Sequence, residues 1–324
     1  MNQAIVTGAD GFIGKALVSA LIEGGVSATA IVQNEKFKEN FEKSNKLQIL
    51  TADFSKYEHL AGHIPYNADV FYHLAWAGVS GSGYNSYQTQ IENIMATCDA
   101  LNAAISSGCK RFVFIGSSHE YLYEKDSLGN NLAKRTLYGA AKTSARAMCE
   151  AIDDSSHKIQ ICTAFFTNVF GVGDLSSRST NVLVEKFILG ETPCLIKGEN
   201  KHDWIYIDDA VSGLIAIGEH GKDRKQYYIG NRSLKKFCDI ITSVRDILAP
   251  KMPLSFGGYD DNTFIDYSLI DLDAAYCDLG FIAKCDFVES ILKTAKWVEG
   301  KRKRDMENIC KLTNNVNGGG GISY

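Results

Sequence analysis

The chain has no C-x-x-C pair, no histidine-rich stretch to partner one, no uninterrupted apolar run of membrane-spanning length and no excess of basic residues. Each absence removes a class of function. Nine cysteines, an odd number scattered between Cys98 and Cys310, argue against both a structural zinc site and a disulfide framework, and no metal is expected. A formal charge of -4 and a pI near 6.0 provide no electrostatic footprint for nucleic acid or an anionic membrane surface. Met1-Asn2-Gln3 leads directly into an apolar stretch without the basic flank and long apolar core of a signal peptide. A reducing, cytoplasmic setting is therefore expected, with neither membrane nor nucleic acid as partner. No internal repeat is visible.

What is present is an alternation of short β-branched runs with longer amphipathic stretches, the pattern of parallel strands joined by crossover helices. Ala4 to Thr7, Ala28 to Val32, Leu47 to Leu50, Val70 to Leu74, Arg111 to Ile115 and Ile159 to Ala164 read as strands, each mostly apolar because both sheet faces are covered. Tyr87 to Ile105 and Thr136 to Ile152 carry apolar residues at helical spacing. The fold class is thus α/β, a doubly wound parallel sheet of the Rossmann type. Past residue 170 the alternation loosens, with short strands near Cys194 to Ile196 and Gln226 to Ile229 and helices near Asn181 to Leu189 and Leu234 to Leu248. This predicts a smaller, interleaved C-terminal substrate lobe: residues 1–170 bind the cofactor, with returns near 203–230, and 171–300 mainly bind substrate. Residues 301–324 open on Lys301-Arg302-Lys303-Arg304 and end in Gly318 to Gly321, the composition of a frayed tail.

Directly after the first strand comes Thr7-Gly8-Ala9-Asp10-Gly11-Phe12-Ile13-Gly14, three glycines at a strand-to-helix turn. Gly8 permits the tight turn, Gly11 lets backbone approach a pyrophosphate, and Gly14 allows helix to pack closely on strand. The helix N-terminus offers free N–H groups and a favourable dipole for phosphate. After the second strand, where an acidic residue ordinarily meets the ribose 2′-hydroxyl of NAD, the chain has Gln33-Asn34, so NAD or NADP stays open. Asp53, ending the third strand, is placed either to accept from an adenine amino group or to cap a helix.

After the fifth strand lies Gly116-Ser117-Ser118-His119-Glu120-Tyr121, and some twenty residues on, Thr136-Leu137-Tyr138-Gly139-Ala140-Ala141-Lys142. Tyr138 and Lys142 are four apart and share one face of a helix. An ammonium beside a phenol favours the phenolate, which can take or return the proton of a carbinol while hydride moves. Ser118, at the carboxyl end of a strand, is placed to donate to the same oxygen. These three are the candidate catalytic residues.

In that order and context the motifs resemble the extended short-chain dehydrogenases, the NAD-dependent epimerase/dehydratase family of nucleotide-sugar enzymes. The likeness extends to His73-Leu74-Ala75, Asn93, Asn168-Val169-Phe170-Gly171, Asp203-Trp204-Ile205-Tyr206-Ile207-Asp208-Asp209 and Tyr228-Ile229-Gly230-Asn231. It implies dinucleotide contacts from Gly8, Gly11, Phe12, Ile13, Gly14, Asn34, Asp53, Phe54, Leu74 and Ala75, with Tyr138 and Lys142. It implies a nucleotide-diphosphate sugar as substrate, met by Ser118, His119, Glu120, Asn168 and His202. It further implies a supporting role for Asn93 and a homodimer formed by the two helices beside the active site.

Departures from the family pattern narrow the reaction. Members that expel water across C5 and C6 of the sugar follow the serine or threonine with Asp-Glu; here His119-Glu120 follows, which is similar to reductases of 4-keto-6-deoxy sugar nucleotides. His119 stands open between proton transfer and support. His202 and Phe165 occupy positions where the family carries arginines for the diphosphate, and Lys197, Lys201 and Arg178 are the candidates to compensate. The expectation is redox chemistry at C4 of a nucleotide-linked hexose. A 4-keto reductase ranks ahead of a 4-epimerase because no acidic residue follows the second strand. A 4,6-dehydratase and a non-catalytic dinucleotide sensor rank below both.

Overall fold

The computed structural model describes residues 1–155, 158–176, 179–259 and 261–317. Seven parallel strands form the central sheet. From one edge to the other they run Gln226–Tyr228, Gln160–Phe165, β5 (Arg111–Ile115), β4 (Val70–His73), β1 (Gln3–Thr7), β2 (Ser27–Val32) and β3 (Leu47–Thr51). The six strands of the first half lie within one residue of their expected ends. Successive residues point to opposite faces, as the pleat requires. Val70, Tyr72 and Val113 join one buried cluster, and Phe71, Phe112 and Phe114 join the other. That two-sided burial is why each strand reads as nearly continuous apolar sequence.

On the first face lie α1 (Phe12–Glu23) and α5 (Ile207–His220), in contact with each other. In α1 the buried positions Gly14, Leu17, Val18 and Leu21 follow helical spacing. On the second face α2 (Tyr87–Ser106) packs against α3 (Leu137–Asp154). The four prolines, Pro65, Pro193, Pro250 and Pro253, fall outside every helix, so none is kinked by proline.

The second half contributes the sheet-edge strand Gln226–Tyr228 and helix α5, then α4 (Ser179–Leu189), α6 (Phe237–Leu248), α7 (Ala274–Leu279) and α8 (Phe287–Asn317). Helix α6 starts three residues later than its periodicity suggests, because Lys235–Lys236 instead pairs antiparallel with Lys201–His202. Short pairings also escaped sequence reasoning. Trp204–Tyr206 runs parallel to Asn168–Phe170, and Leu122–Lys125 is flanked by Asn131–Ala133 and Thr263–Ile265. Lys301 to Arg304, read from the sequence as the start of a frayed tail, lie within the span of α8. α8 anchors Ile291, Ala295 and Val298 in the core, and the helix continues through Lys301 to Arg304, since extending a nucleated helix costs little. Gly318 to Gly321 lie outside the described residues.

Candidate active site

The glycine turn is built as steric necessity dictates. Gly8 has φ +65°, and a Cβ there would stand 2.7 Å from the Ala75 nitrogen. At Gly14 a Cβ would meet the Gly8 carbonyl oxygen at 2.1 Å. Gly11, by contrast, is exposed; its N–H bonds the Gly8 carbonyl at 3.0 Å, and it opens α1 with no side-chain cap and no acidic residue in the first turn. The N-terminal N–H groups of α1 thus remain available to an anion.

Beside this turn is a cavity of about 790 Å³, walled by Gly8, Asp10 and Gly11, by Gln33 at the end of β2, by Asp53, Phe54 and Tyr57, and by Leu74 to Ala77 after β4. The expected contacts Gly8, Gly11, Asp53, Phe54, Leu74 and Ala75 meet here. Phe12 and Ile13 are half-buried and pack on the core, Gly14 is buried in the helix, and none of the three lines the cavity. Asn34 does not line it either. Its side chain accepts the Lys36 N–H at 3.0 Å and so caps the turn that follows β2. Asp53 caps the turn after β3, accepting the Ser55 N–H at 3.0 Å while still facing the cavity, and the Ser55 hydroxyl, which donates to the same carboxylate, lowers its pKa.

Below the cavity a buried polar chain fixes the end of β4. Thr97 donates to the Asn93 carbonyl at 2.7 Å, so it accepts from His73 Nε2 at 3.1 Å, and His73 Nδ1 accepts from the Thr7 hydroxyl at 2.9 Å. Burial pushes His73 down to about 3, with the Lys142 charge adding to the shift, and keeps the ring neutral. Asn93 donates to the carbonyls of Ala77 and Thr89 and accepts the Ala77 N–H at 2.7 Å, the work of a brace. Gln90 accepts from the Trp76 indole at 3.1 Å and donates to the carbonyls of Gly78 and Gly83. Together they pin the loop carrying Trp76 and Tyr84.

At the end of β5 the chain turns through Ser117 to Tyr121, with Ser117 accepting the His119 N–H at 3.1 Å. The turn leaves Ser118 buried against the start of α3. Gly139 allows the approach: a Cβ there would sit 2.7 Å from the His119 carbonyl oxygen. On α3, the Tyr138 ring is enclosed by Tyr84, stacked at 5.3 Å, by His119 edge-on at 5.6 Å and by Trp76 edge-on at 6.2 Å. Tyr84 Oη bonds His119 Nδ1 at 2.7 Å. Lys142 is buried, donates to the Ile115 carbonyl at 2.8 Å, and holds its ammonium 3.5 Å from the centre of the Trp76 indole. Burial draws its pKa down to about 7 against the opposing charge of Glu120. Tyr138 and Lys142 lie together on α3, which packs against the Ser117–Tyr121 turn carrying Ser118; none of the three lines the cavity, but Trp76, which does, meets both Tyr138 and Lys142.

Glu120 departs from its expected place at a substrate. Its carboxylate accepts the Ser117 N–H at 3.0 Å and the Arg146 guanidinium at 3.1 Å, and its side chain is 5% exposed. Asn168 and His202 also lie apart from the cavity. Asn168 donates to the Thr180 hydroxyl at 2.7 Å. His202 packs on the Phe237 ring at 5.0 Å and borders a separate cavity of about 410 Å³, with burial lowering its pKa. Phe165, in place of an arginine, fills a buried cluster with Tyr228, Tyr267 and Ile270. Lys197 and Lys201 are exposed, and Arg178 lies outside the described residues. Sequence reasoning missed Trp76, Tyr84 and Gln90; the glycines at 78, 81 and 83 were the available signal that this loop is tightly folded.

A sequence profile described as the NAD dependent epimerase/dehydratase family matches residues 4–230. A Bacillus subtilis (strain 168) protein named as an uncharacterized UDP-glucose epimerase, YtcB, is 26% identical over 292 residues, covering 82% of this chain and 90% of that protein. The Bordetella bronchiseptica enzyme WbmF, solved in complex with NADH, superposes with a TM-score of 0.77 at 19% identity, covering 99% of this chain and 98% of that one. UDP-glucuronic acid 4-epimerase from Bacillus cereus, solved with NAD, gives a TM-score of 0.75 at 20% identity, covering 92% of this chain and 99% of that one. The two solved structures share the fold.

Proposed function

The chain belongs to the NAD dependent epimerase/dehydratase family, and from that premise we propose that it interconverts the two C4 epimers of a nucleotide-linked hexose, using NAD that it keeps bound. The residues present fit that cofactor: Gly8 and Gly14 leave no room for a Cβ, the N-terminus of α1 is uncapped, and the 790 Å³ cavity adjoins both. Gly11 and the first turn of α1 would hold the pyrophosphate, and Asp53 with Phe54 the adenosine end. The bound dinucleotide supplies reversible hydride acceptance.

The observation that carries the reading is Trp76, whose indole forms part of the cavity wall and also contacts the Lys142 ammonium beside Tyr138. Tyr138 takes the carbinol proton at C4 and returns it after the sugar has turned over. Ser118 donates to the same oxygen, and Lys142 supports the phenolate by its charge. Tyr84 and Trp76 keep water from the phenol ring. With Glu120 engaged by Arg146 and Ser117, and no aspartate before it, the site lacks the second acid–base pair that loss of a C6 hydroxyl demands. Dehydration is therefore disfavoured.

A 4-keto reductase is the second reading, favoured by the missing carboxylate after β2. Against it, the cavity presents Asp10, Asp53, Glu58, Glu92 and Asp99 and no lysine or arginine, a poor seat for the 2′-phosphate of NADPH. The likeness to a UDP-glucuronic acid 4-epimerase structure, and to a protein named as a UDP-glucose epimerase, supports the epimerase order.

The test is proton NMR of the purified protein with NAD and paired 4-epimers of UDP-hexoses, hexosamines and hexuronic acids. At least one pair should equilibrate, and Tyr138→Phe should slow it by at least about 100-fold, the usual contribution of a general acid–base. Equal rates for Tyr138→Phe and wild type would remove the phenol from the chemistry.

A further inference from the structure

We infer that Asp10 selects NAD over NADP: the glycine turn supplies the carboxylate that the end of the second strand lacks. The inference rests on the dinucleotide reading of the cavity and specifies which residue discriminates at its adenosine end. In sheets of this type an acidic residue ending the second strand accepts hydrogen bonds from the adenosine ribose. Here Gln33-Asn34-Glu35 follows β2, and none of its side chains supplies that group. Gln33 is an amide. Asn34 accepts the Lys36 N–H at 3.0 Å, and Glu35 is engaged with the Thr51 hydroxyl at 2.6 Å and the Lys38 ammonium at 2.9 Å. Neither Asn34 nor Glu35 lines the cavity.

Asp10 is carried to that place by the fold. The Ala9 N–H bonds the Ile31 carbonyl at 3.2 Å, tying the glycine turn to the end of β2. One residue on, partial burial raises the pKa of the Asp10 carboxylate, opposed by the backbone N–H groups of Asp10 and Gln33, which favour its charged form. Asp10 and Gln33 line the cavity together, beside Gly8 and Gly11. A ribose 2′-hydroxyl seated there finds an acceptor. A 2′-phosphate, with close to two negative charges, finds a partly desolvated carboxylate instead, and like charges in such surroundings repel strongly. Nearby cations do not offset this. Lys38 pairs with Glu35, Lys56 lies 3.7 Å from Asp53, and the Lys36 ammonium rests over the Phe37 ring at 5.0 Å.

The experiment measures dissociation constants of NADH and NADPH for the full chain by titrating cofactor fluorescence, in wild type, Asp10→Asn and Asp10→Ser, with Asp53→Asn as comparison. Thermal unfolding confirms that each variant folds. Wild type should bind NADH about 100-fold more tightly than NADPH, a difference in keeping with one close like-charge contact. Both Asp10 variants should reduce the ratio to below about 10-fold, chiefly by tightening NADPH, while Asp53→Asn leaves most of it. An unchanged ratio in the Asp10 variants, or equal affinities in wild type, overturns the inference and leaves the dinucleotide site standing. Failure of wild type to bind either cofactor overturns the site and the inference together.

Discussion

At the scale of the residue, two side chains separate chemistry from architecture. The Lys142 ammonium is buried, and its pKa falls from 10.5 to about 7 in the folded chain. Between those values the unfolded chain binds a proton that the native protein does not, so this group makes stability rise with pH across the window and fall as pH drops toward 7. Urea denaturation of dinucleotide-free protein from pH 6.5 to 9.5 should show that slope in wild type and a flatter profile in Lys142→Met; parallel profiles would contradict the burial argument. Glu120 is the converse case. Removing its charge leaves Arg146 poorly compensated, so Glu120→Gln should destabilise by about 2–4 kcal/mol in denaturant titration. Turnover per folded molecule should stay within about tenfold of wild type, whereas loss of a true general acid or base costs about 100-fold or more. A stable but inactive Glu120→Gln would return the residue to the active site.

These residues also show what the sequence conveyed at this scale. Ser118, Tyr138 and Lys142 could be picked out because their order along a doubly wound sheet brings them to one edge. The direction of Glu120 could not, because it depends on the turn at Ser117 and on Arg146, a full 26 residues away. Asp10 escaped notice for a related reason: its role comes from a tertiary contact with Gln33 rather than from the glycine spacing that surrounds it.

Among the elements, the strands and long helices follow from hydrophobic period, and the loops hold what was missed. The segment from Trp76 to Tyr84 has no periodicity of its own; Gln90 and Asn93 on α2 give it shape. Gly78 has φ +66°, and a Cβ there would meet the Gly83 carbonyl carbon at 2.6 Å; Gly81 has φ +69° but open space. Gly78→Ala should therefore lower stability by about 2–3 kcal/mol, against about 1 kcal/mol for Gly81→Ala, where only the backbone conformation is strained. Equal melting temperatures for the two variants would show that the loop is not held as described. The short ribbons at 122–133 and 263–265 were illegible for a different reason, since strands of three or four residues carry little pattern, and Thr263–Ile265 pairs with a strand more than 120 positions away.

At the scale of the whole molecule, no helix among the described residues is long and apolar enough to cross a membrane. Helices α2 and α3 present exposed apolar side chains, among them Ile91 at 50% and Met148 at 49%. The proposal that these helices pair with a second copy predicts a dimer in sedimentation velocity and a shift to monomer in Ile91→Glu/Met148→Glu; a wild-type monomer would end it. The larger arrangement sets the Tyr138 ring against the Trp76 indole, which lines a cavity whose charged residues are all acidic. That geometry suits a reaction that begins and ends with the same oxidised cofactor. The most direct measurement uses a substrate carrying deuterium at C4 of the hexose, followed by NMR and mass spectrometry without added reductant. The account predicts that the 4-epimer appears with the deuterium still at C4 and no net consumption of NADH or NADPH. Loss of the label to solvent, or product formation only when reduced cofactor is supplied, would contradict it.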